Sequence, residues 1–87
     1  MARVTIGVPV FNAERLLERS LANLAAQSFR DFRVIVLDNA STDRTGSIAQ
    51  KFAENDDRFS YFVQPFNKGC RQNFVDVLER ADSPYFM

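Results

Sequence analysis

Val34, Ile35, Val36 and Leu37 form an unbroken apolar run between Arg33 and the polar pair Asp38 and Asn39. A strand apolar on both sides is expected where helices cover both faces of a parallel sheet, so the run predicts a central strand over 33–37. Ser41, Thr42 and Asp43 follow, all of the type whose side chains accept hydrogen bonds from the free amides of a helix start. Ile48, Ala49, Phe52 and Ala53 then recur at helical spacing, and Ser41 or Thr42 is the expected cap of that helix. The same order of strand, turn and helix occurs twice more. Val4 to Val10 is the first strand, and Leu17, Leu21, Leu24 and Ala25 behind it sit at i, i+4, i+7 and i+8. Over 58–63, Phe59, Tyr61 and Val63 alternate with Ser60 and Phe62, which predicts a third strand with one buried face. Phe74, Val77, Leu78 and Ala81 give the next helix its stripe, Ser83 and Pro84 end it, and Tyr85, Phe86 and Met87 turn apolar again as the start of a fourth strand.

Alternating strands and helices with short connections imply parallel strands joined by right-handed crossovers. The expected class is α/β, a three-layer Rossmann-like half with a parallel sheet. The first two strands are the more apolar and belong inside, the third towards an edge, and the fourth beside the first. The predicted order is 3-2-1-4 with the fourth strand truncated, in one domain over 1–87 that is incomplete at its C-terminus. The chain reverses direction across such a sheet above the first strand, so the switch-point crevice falls at Pro9 to Asn12, next to Asp38 and Asn39.

Composition narrows the function classes. Eleven basic residues balance eleven acidic ones, so no strong field draws the chain to nucleic acid or to an anionic membrane. No apolar run approaches the roughly 18–20 residues of a membrane span. No secretory signal opens the sequence, and the cytoplasm is the expected compartment. A single cysteine, Cys70, forbids an internal disulfide, and the absence of histidine excludes Ser/His/Asp catalysis and the usual zinc sites within these residues. Without a histidine to activate it, Cys70 is read as a small packed side chain and not as a nucleophile.

Pro9, Phe11 and Asn12 taken alone are a strand end, a core aromatic and the cap of the following helix. Beside Asp38 and Asn39 they suggest more. A carboxylate or amide in the plane of a heterocycle, with a ring or a proline edge alongside, can read the imide or amide edge of a base such as uracil through paired donors and acceptors.

These segments resemble the family 2 glycosyltransferases, inverting enzymes of the GT-A fold. The shared features are a Pro-x-Phe/Tyr-Asn turn at Pro9 to Asn12, an Asp-Asp/Asn-x-Ser-x-Asp-x-Thr segment at Asp38 to Thr45, and an Asn-x-Gly segment at Asn67 to Gly69. The run from Gln27 to Asn39 is also similar to its counterpart in that family. The resemblance implies that Pro9, Phe11 and Asn12 border a nucleotide base, that Asp38 or Asn39 hydrogen-bonds the base or its ribose, and that Asn67 and Gly69 lie near the donor pocket. It implies a nucleotide-diphosphate sugar as partner, an acceptor that is a glycan, lipid or protein, and a divalent cation, Mg or Mn, in a complete enzyme. Family members hold that cation with an Asp-x-Asp motif just after the strand that begins at Tyr85, and their catalytic base comes later. Neither lies in these 87 residues, so no catalytic residue and no metal ligand is assigned here, and the chain is expected to be inactive alone.

Two departures stand out: Asn39, where many members have a second aspartate, and Gln72 to Val75, where many carry an Ala, Arg, Asn run. The close acidic pairs, Asp56 with Asp57 and Asp76 with Glu79, fall where a solvated loop and a helix surface are expected. A nucleotidyltransferase is disfavoured because no glycine-rich loop bearing Lys or Arg follows the first strand. The alternative from another class is a non-catalytic module that forms homo-oligomers through the exposed edge of the unfinished sheet.

Overall fold

The computed structural model of the chain describes residues 4–27, 31–80 and 85–86. In chain order its elements are β1 (Val4–Val10), α1 (Glu14–Ala25), β2 (Phe32–Asp38), α2 (Thr45–Asn55), β3 (Phe59–Val63), α3 (Cys70–Glu79) and β4 (Tyr85–Phe86). The α/β class and the parallel sheet expected from the repeats are both present. The strands follow the order β3-β2-β1-β4, and the described residues of β4 pair with Val4 and Thr5 at the start of β1. The register sets Val10 beside Asp38 and Asp38 beside Val63, so the carboxyl ends of β1, β2 and β3 are level. Among the described residues no helix is long and apolar enough to cross a membrane.

The missing alternation of Val34 to Leu37 has a direct structural cause. Successive side chains of a strand point to opposite faces. Val34 and Val36 join Leu17, Leu21, Ala49 and Phe59 in the core under α1 and α2, while Ile35 and Leu37 meet Val77 of α3 on the other side. Both faces of β2 are therefore buried, as helices on both sides of a parallel sheet require.

At the amino end of the sheet, Arg58 precedes β3 and does not belong to it. Its buried guanidinium pairs with Asp56 at 2.6 Å, donates to the Ala25 carbonyl at 3.1 Å and lies 4.7 Å from the centroid of the Phe32 ring. The alternation expected of β3 also fades along the strand. Phe59 is buried, Tyr61 half-buried and Val63 exposed in this strand at the edge of the sheet.

The stripe expected for α3 needs correction as well. Val77 is fully buried, but Phe74 and Leu78 are half exposed, and the buried neighbour of Val77 is Asn73. Ala81, Ser83, Pro84 and Met87 lie outside the described residues.

Asp76 of α3 accepts hydrogen bonds from Gln72 at 2.8 Å and Gln64 at 2.8 Å, with the Lys68 ammonium at 3.4 Å. Gln72 first, then Gln64 and Lys68 hold its carboxyl below the usual carboxylate range against a smaller opposing effect of burial. A carboxyl whose folded pKa is depressed stabilises the fold above its unfolded pKa of about 3.9 and loses that contribution as pH falls through the folded value. Thermal unfolding should therefore be flat between about pH 7 and 5 and fall below about pH 4. Asp76→Asn should flatten that fall, and an unchanged acid limb in the variant would contradict the assignment.

Candidate functional site

Two loops leave the carboxyl ends of β1 and β2 and are laced to each other. The Asn12 N–H donates to Ser41 Oγ at 2.8 Å, and Asn12 Oδ1 accepts the Thr42 N–H at 2.9 Å. The Ala13 N–H donates to Thr45 Oγ1 at 2.8 Å, and the Glu14 N–H to Asp43 Oδ2 at 3.4 Å. Free amides at the start of α1 thus find acceptors on the second loop. This corrects the expected caps. The N-cap residues are Ala13 for α1 and Arg44 for α2, neither with a side-chain cap bond, so Asn12, Ser41 and Thr42 bind across the sheet and not along their own helices. Asn12 and Ala40 both take positive φ, 48° and 62°, which turns the two loops toward each other.

Asp43 completes the lacing by accepting from both the N–H and the hydroxyl of Thr45. Burial pushes its carboxyl up, but the hydrogen bonds from Thr45 and Glu14 prevail and leave it below the ordinary value.

Asp38, 1% exposed, faces inward from the end of β2. Its Oδ1 accepts the Ser41 N–H at 2.9 Å and its Oδ2 accepts the Tyr61 hydroxyl of β3 at 2.8 Å. Burial, then the hydrogen bond to Asp38 and its negative charge, push the Tyr61 phenol far above its ordinary pKa, so it stays a donor. Gly46 keeps room for this pair, since a Cβ there would stand 2.7 Å from the Tyr61 oxygen.

Asn39, 2% exposed, ties the same strand end to the turn before α3. Its Nδ2 donates to Asn67 Oδ1 at 2.9 Å and its Oδ1 accepts the Lys68 N–H at 2.8 Å. Asn67 Oδ1 also accepts the Gly69 N–H at 2.7 Å, and Gly69 holds a φ of 86° that a side chain would strain. One turn further on, buried Asn73 donates to the Leu37 carbonyl at 2.9 Å and accepts from Gln64 at 3.2 Å.

Between these turns lies a cleft of about 90 Å³ lined by Pro9, Val10, Phe11, Asn39, Cys70 and Asn73. Of the residues singled out in the sequence, Pro9, Phe11 and Asn39 line it directly. Asp38, Asn12, Asn67 and Gly69 do not line it; Asn67 holds the lining residue Asn39, Gly69 precedes Cys70, and Asp38 and Asn12 tie the loops after β1 and β2. Cys70 and Asn73 were not anticipated as lining residues; the available signal was that Cys70 follows Gly69 directly and that Asn73 lies one helical turn on.

Among the described residues no three His, Cys, Asp or Glu side chains gather where they could hold a metal ion. The acidic groups of the loops at this end of the sheet are already engaged, Asp38 with Ser41 and Tyr61 and Asp43 with Thr45 and Glu14, while Asp76 of α3 accepts from Gln64 and Gln72 and faces Lys68.

The solved glycosyltransferases that superpose on this parallel α/β sheet place it in the GT-A class of domains. Within that class the chain belongs to Glycosyl transferase family 2, whose profile matches residues 5–87. It is 34% identical over 98% of its length to the GalNAc(5)-diNAcBac-PP-undecaprenol beta-1,3-glucosyltransferase of Campylobacter jejuni. It superposes on 92% of its length on the mannosyltransferase PcManGT from Pyrobaculum calidifontis, solved in complex with GDP-Man and Mn2+, with a TM-score of 0.81 and 30% identity. TarS 1-349 of S. aureus matches the whole chain at a TM-score of 0.86 and 28% identity. The chain spans 28% of the Campylobacter protein, 24% of the mannosyltransferase and 27% of TarS 1-349.

Proposed function

We propose that this chain is the nucleotide-sugar donor-binding segment of an inverting glycosyltransferase that moves a sugar to an acceptor hydroxyl. The observation that carries the reading is the convergence of Pro9, Phe11 and Asn39 on one cleft at the sheet switch point, in a chain of this family. An exposed aromatic ring and a proline edge suit the flat face of a base. Arg71, exposed and next in sequence to the cleft-lining Cys70, suits a diphosphate. The Mn2+ bound with GDP-Man in the mannosyltransferase supports a divalent cation, Mg or Mn, beside the donor. The described residues supply no ligand set for it, so the role assigned to this chain is donor binding, and neither the cation's ligands nor the base that deprotonates the acceptor is placed among its residues.

Cys70 provides the test, because it is the only cysteine, is exposed and lines the cleft. A nucleotide sugar at ten times its dissociation constant should slow maleimide labelling of Cys70 by about tenfold, since only the free fraction reacts. GDP-mannose and a UDP-sugar, each with Mn2+, are the probes. Labelling unaffected by either, together with no heat of binding in calorimetry, would refute donor binding.

A further inference from the structure

β3 closes the side of the sheet opposite β4. The Arg58 carbonyl accepts the Val34 N–H and the Gln64 N–H donates to the Asp38 carbonyl, so the even-numbered positions bond to β2. By the two-residue period of a strand, Phe59, Tyr61 and Val63 turn their backbone N–H and C=O groups outward. Among the described residues no strand meets that side, and only the Phe59 N–H is spent, on the Asp56 carbonyl. Edge strands are ordinarily kept from pairing by charged side chains, proline or a bulge. The run from Phe59 to Val63 has no charge and no proline, and its register with β2 is unbroken. Phe62 and Val63 are exposed.

We propose that this edge pairs with the same edge of a second copy of the chain, antiparallel about a two-fold axis at Tyr61. The strand is self-complementary in that register. Tyr61 exchanges both backbone bonds with the partner's Tyr61, and the Val63 N–H donates to the partner's Phe59 carbonyl. The spent Phe59 N–H lies at the end of this ladder and leaves only the Val63 carbonyl to water. Phe59 stands beside the partner's Val63 and Ser60 beside the partner's Phe62, so an aromatic ring meets a β-branched side chain and no like charges oppose. Pro65, which has no N–H, stops the ladder beyond Gln64. Pairing uses up the β3 edge of both copies and closes the assembly at two. So short a contact belongs to the weak, transient class, and it leaves the donor cleft free.

Sedimentation equilibrium of the 87-residue chain, with reductant to keep Cys70 from linking copies, should show the mass rise from 10.0 kDa to about 20 kDa between about 10 μM and 1 mM. Hydrogen exchange read by NMR locates the contact. Where about nine-tenths of the chain is dimeric, the Tyr61 and Val63 amides should exchange about tenfold more slowly than in dilute protein, since only the free fraction opens to water. Val63→Pro removes an outward donor without touching a bond to β2, and Val63→Lys supplies the charge that edge strands ordinarily carry. Each variant, its fold checked by thermal unfolding, should need at least about tenfold more protein to reach half-dimerisation. A mass of 10.0 kDa throughout, growth beyond a dimer, unslowed exchange at Tyr61 and Val63 in the dimer, or folded variants that dimerise as the parent does would each overturn the inference.

Discussion

Asp38→Ala is expected to destabilise the chain by about 2–4 kcal/mol, a drop of roughly 10–20 °C in the unfolding midpoint. The substitution strands two donors at once. The Tyr61 hydroxyl loses its acceptor inside the sheet, and the Ser41 N–H loses the contact that folds the β2–α2 loop. That loop carries Ser41, Thr42 and Asp43, which hold the β1–α1 loop through Asn12 and Glu14, so the damage spreads to the turn that bears Phe11. Asp38→Asn should cost about 1 kcal/mol, because an amide oxygen can still accept from Ser41 while its NH2 turns the Tyr61 hydroxyl from donor to acceptor. A double-mutant cycle of Asp38→Ala with Tyr61→Phe, read by thermal unfolding, should show strong coupling, since removing both partners leaves no orphaned hydroxyl. Additive losses, or an alanine variant within about 0.5 kcal/mol of the parent, would show that the pair does not hold the strand end.

Asp38 also marks how far the sequence could be read. The apolar run before it marked β2 as central, because a strand covered by helices on both faces buries successive side chains alike, and most of them are apolar. Periodicity placed α1 and α2 equally well, since Leu17, Leu21 and Ala49 face one continuous core. The rules for helix caps failed at Asn12, Ser41 and Thr42 for a physical reason. Those rules look along the chain, whereas the partners used here lie 29 to 32 residues away and meet only because β1 and β2 are adjacent and in register. The partner of Asp38 was hidden in the same way, since a carboxylate at a strand end reads as open until Tyr61, 23 residues on, is placed beside it. That Pro9, Phe11 and Asn39 meet at one cleft was legible because register and topology alone bring them together. Asn73 was not, since a polar residue inside a helix reads as solvated unless its acceptor, the Leu37 carbonyl, is known.

Asn73 gives the second large effect. Asn73→Leu keeps the branched skeleton with bulkier methyl groups, but takes the Asn73 donor from the Leu37 carbonyl and removes one of the two acceptors of Gln64, which retains Asp76. The expected cost is about 2–3 kcal/mol at neutral pH. With α3 no longer fastened to the end of β2, Cys70 in its first turn should label faster than in the parent. Asn73→Asp separates hydrogen bonding from packing. Its carboxylate can accept from Gln64 but cannot donate to the Leu37 carbonyl, and it buries a charge close to Asp76. Burial and the neighbouring charge raise the pKa of such a carboxyl, so acid returns a neutral O–H donor to the site. Between about pH 7 and 5 the Asn73→Asp variant should therefore gain stability relative to the parent, the reverse of the acid sensitivity expected from Asp76. A constant difference between the two proteins across that range would mean that Asn73 only fills space between α3 and β2.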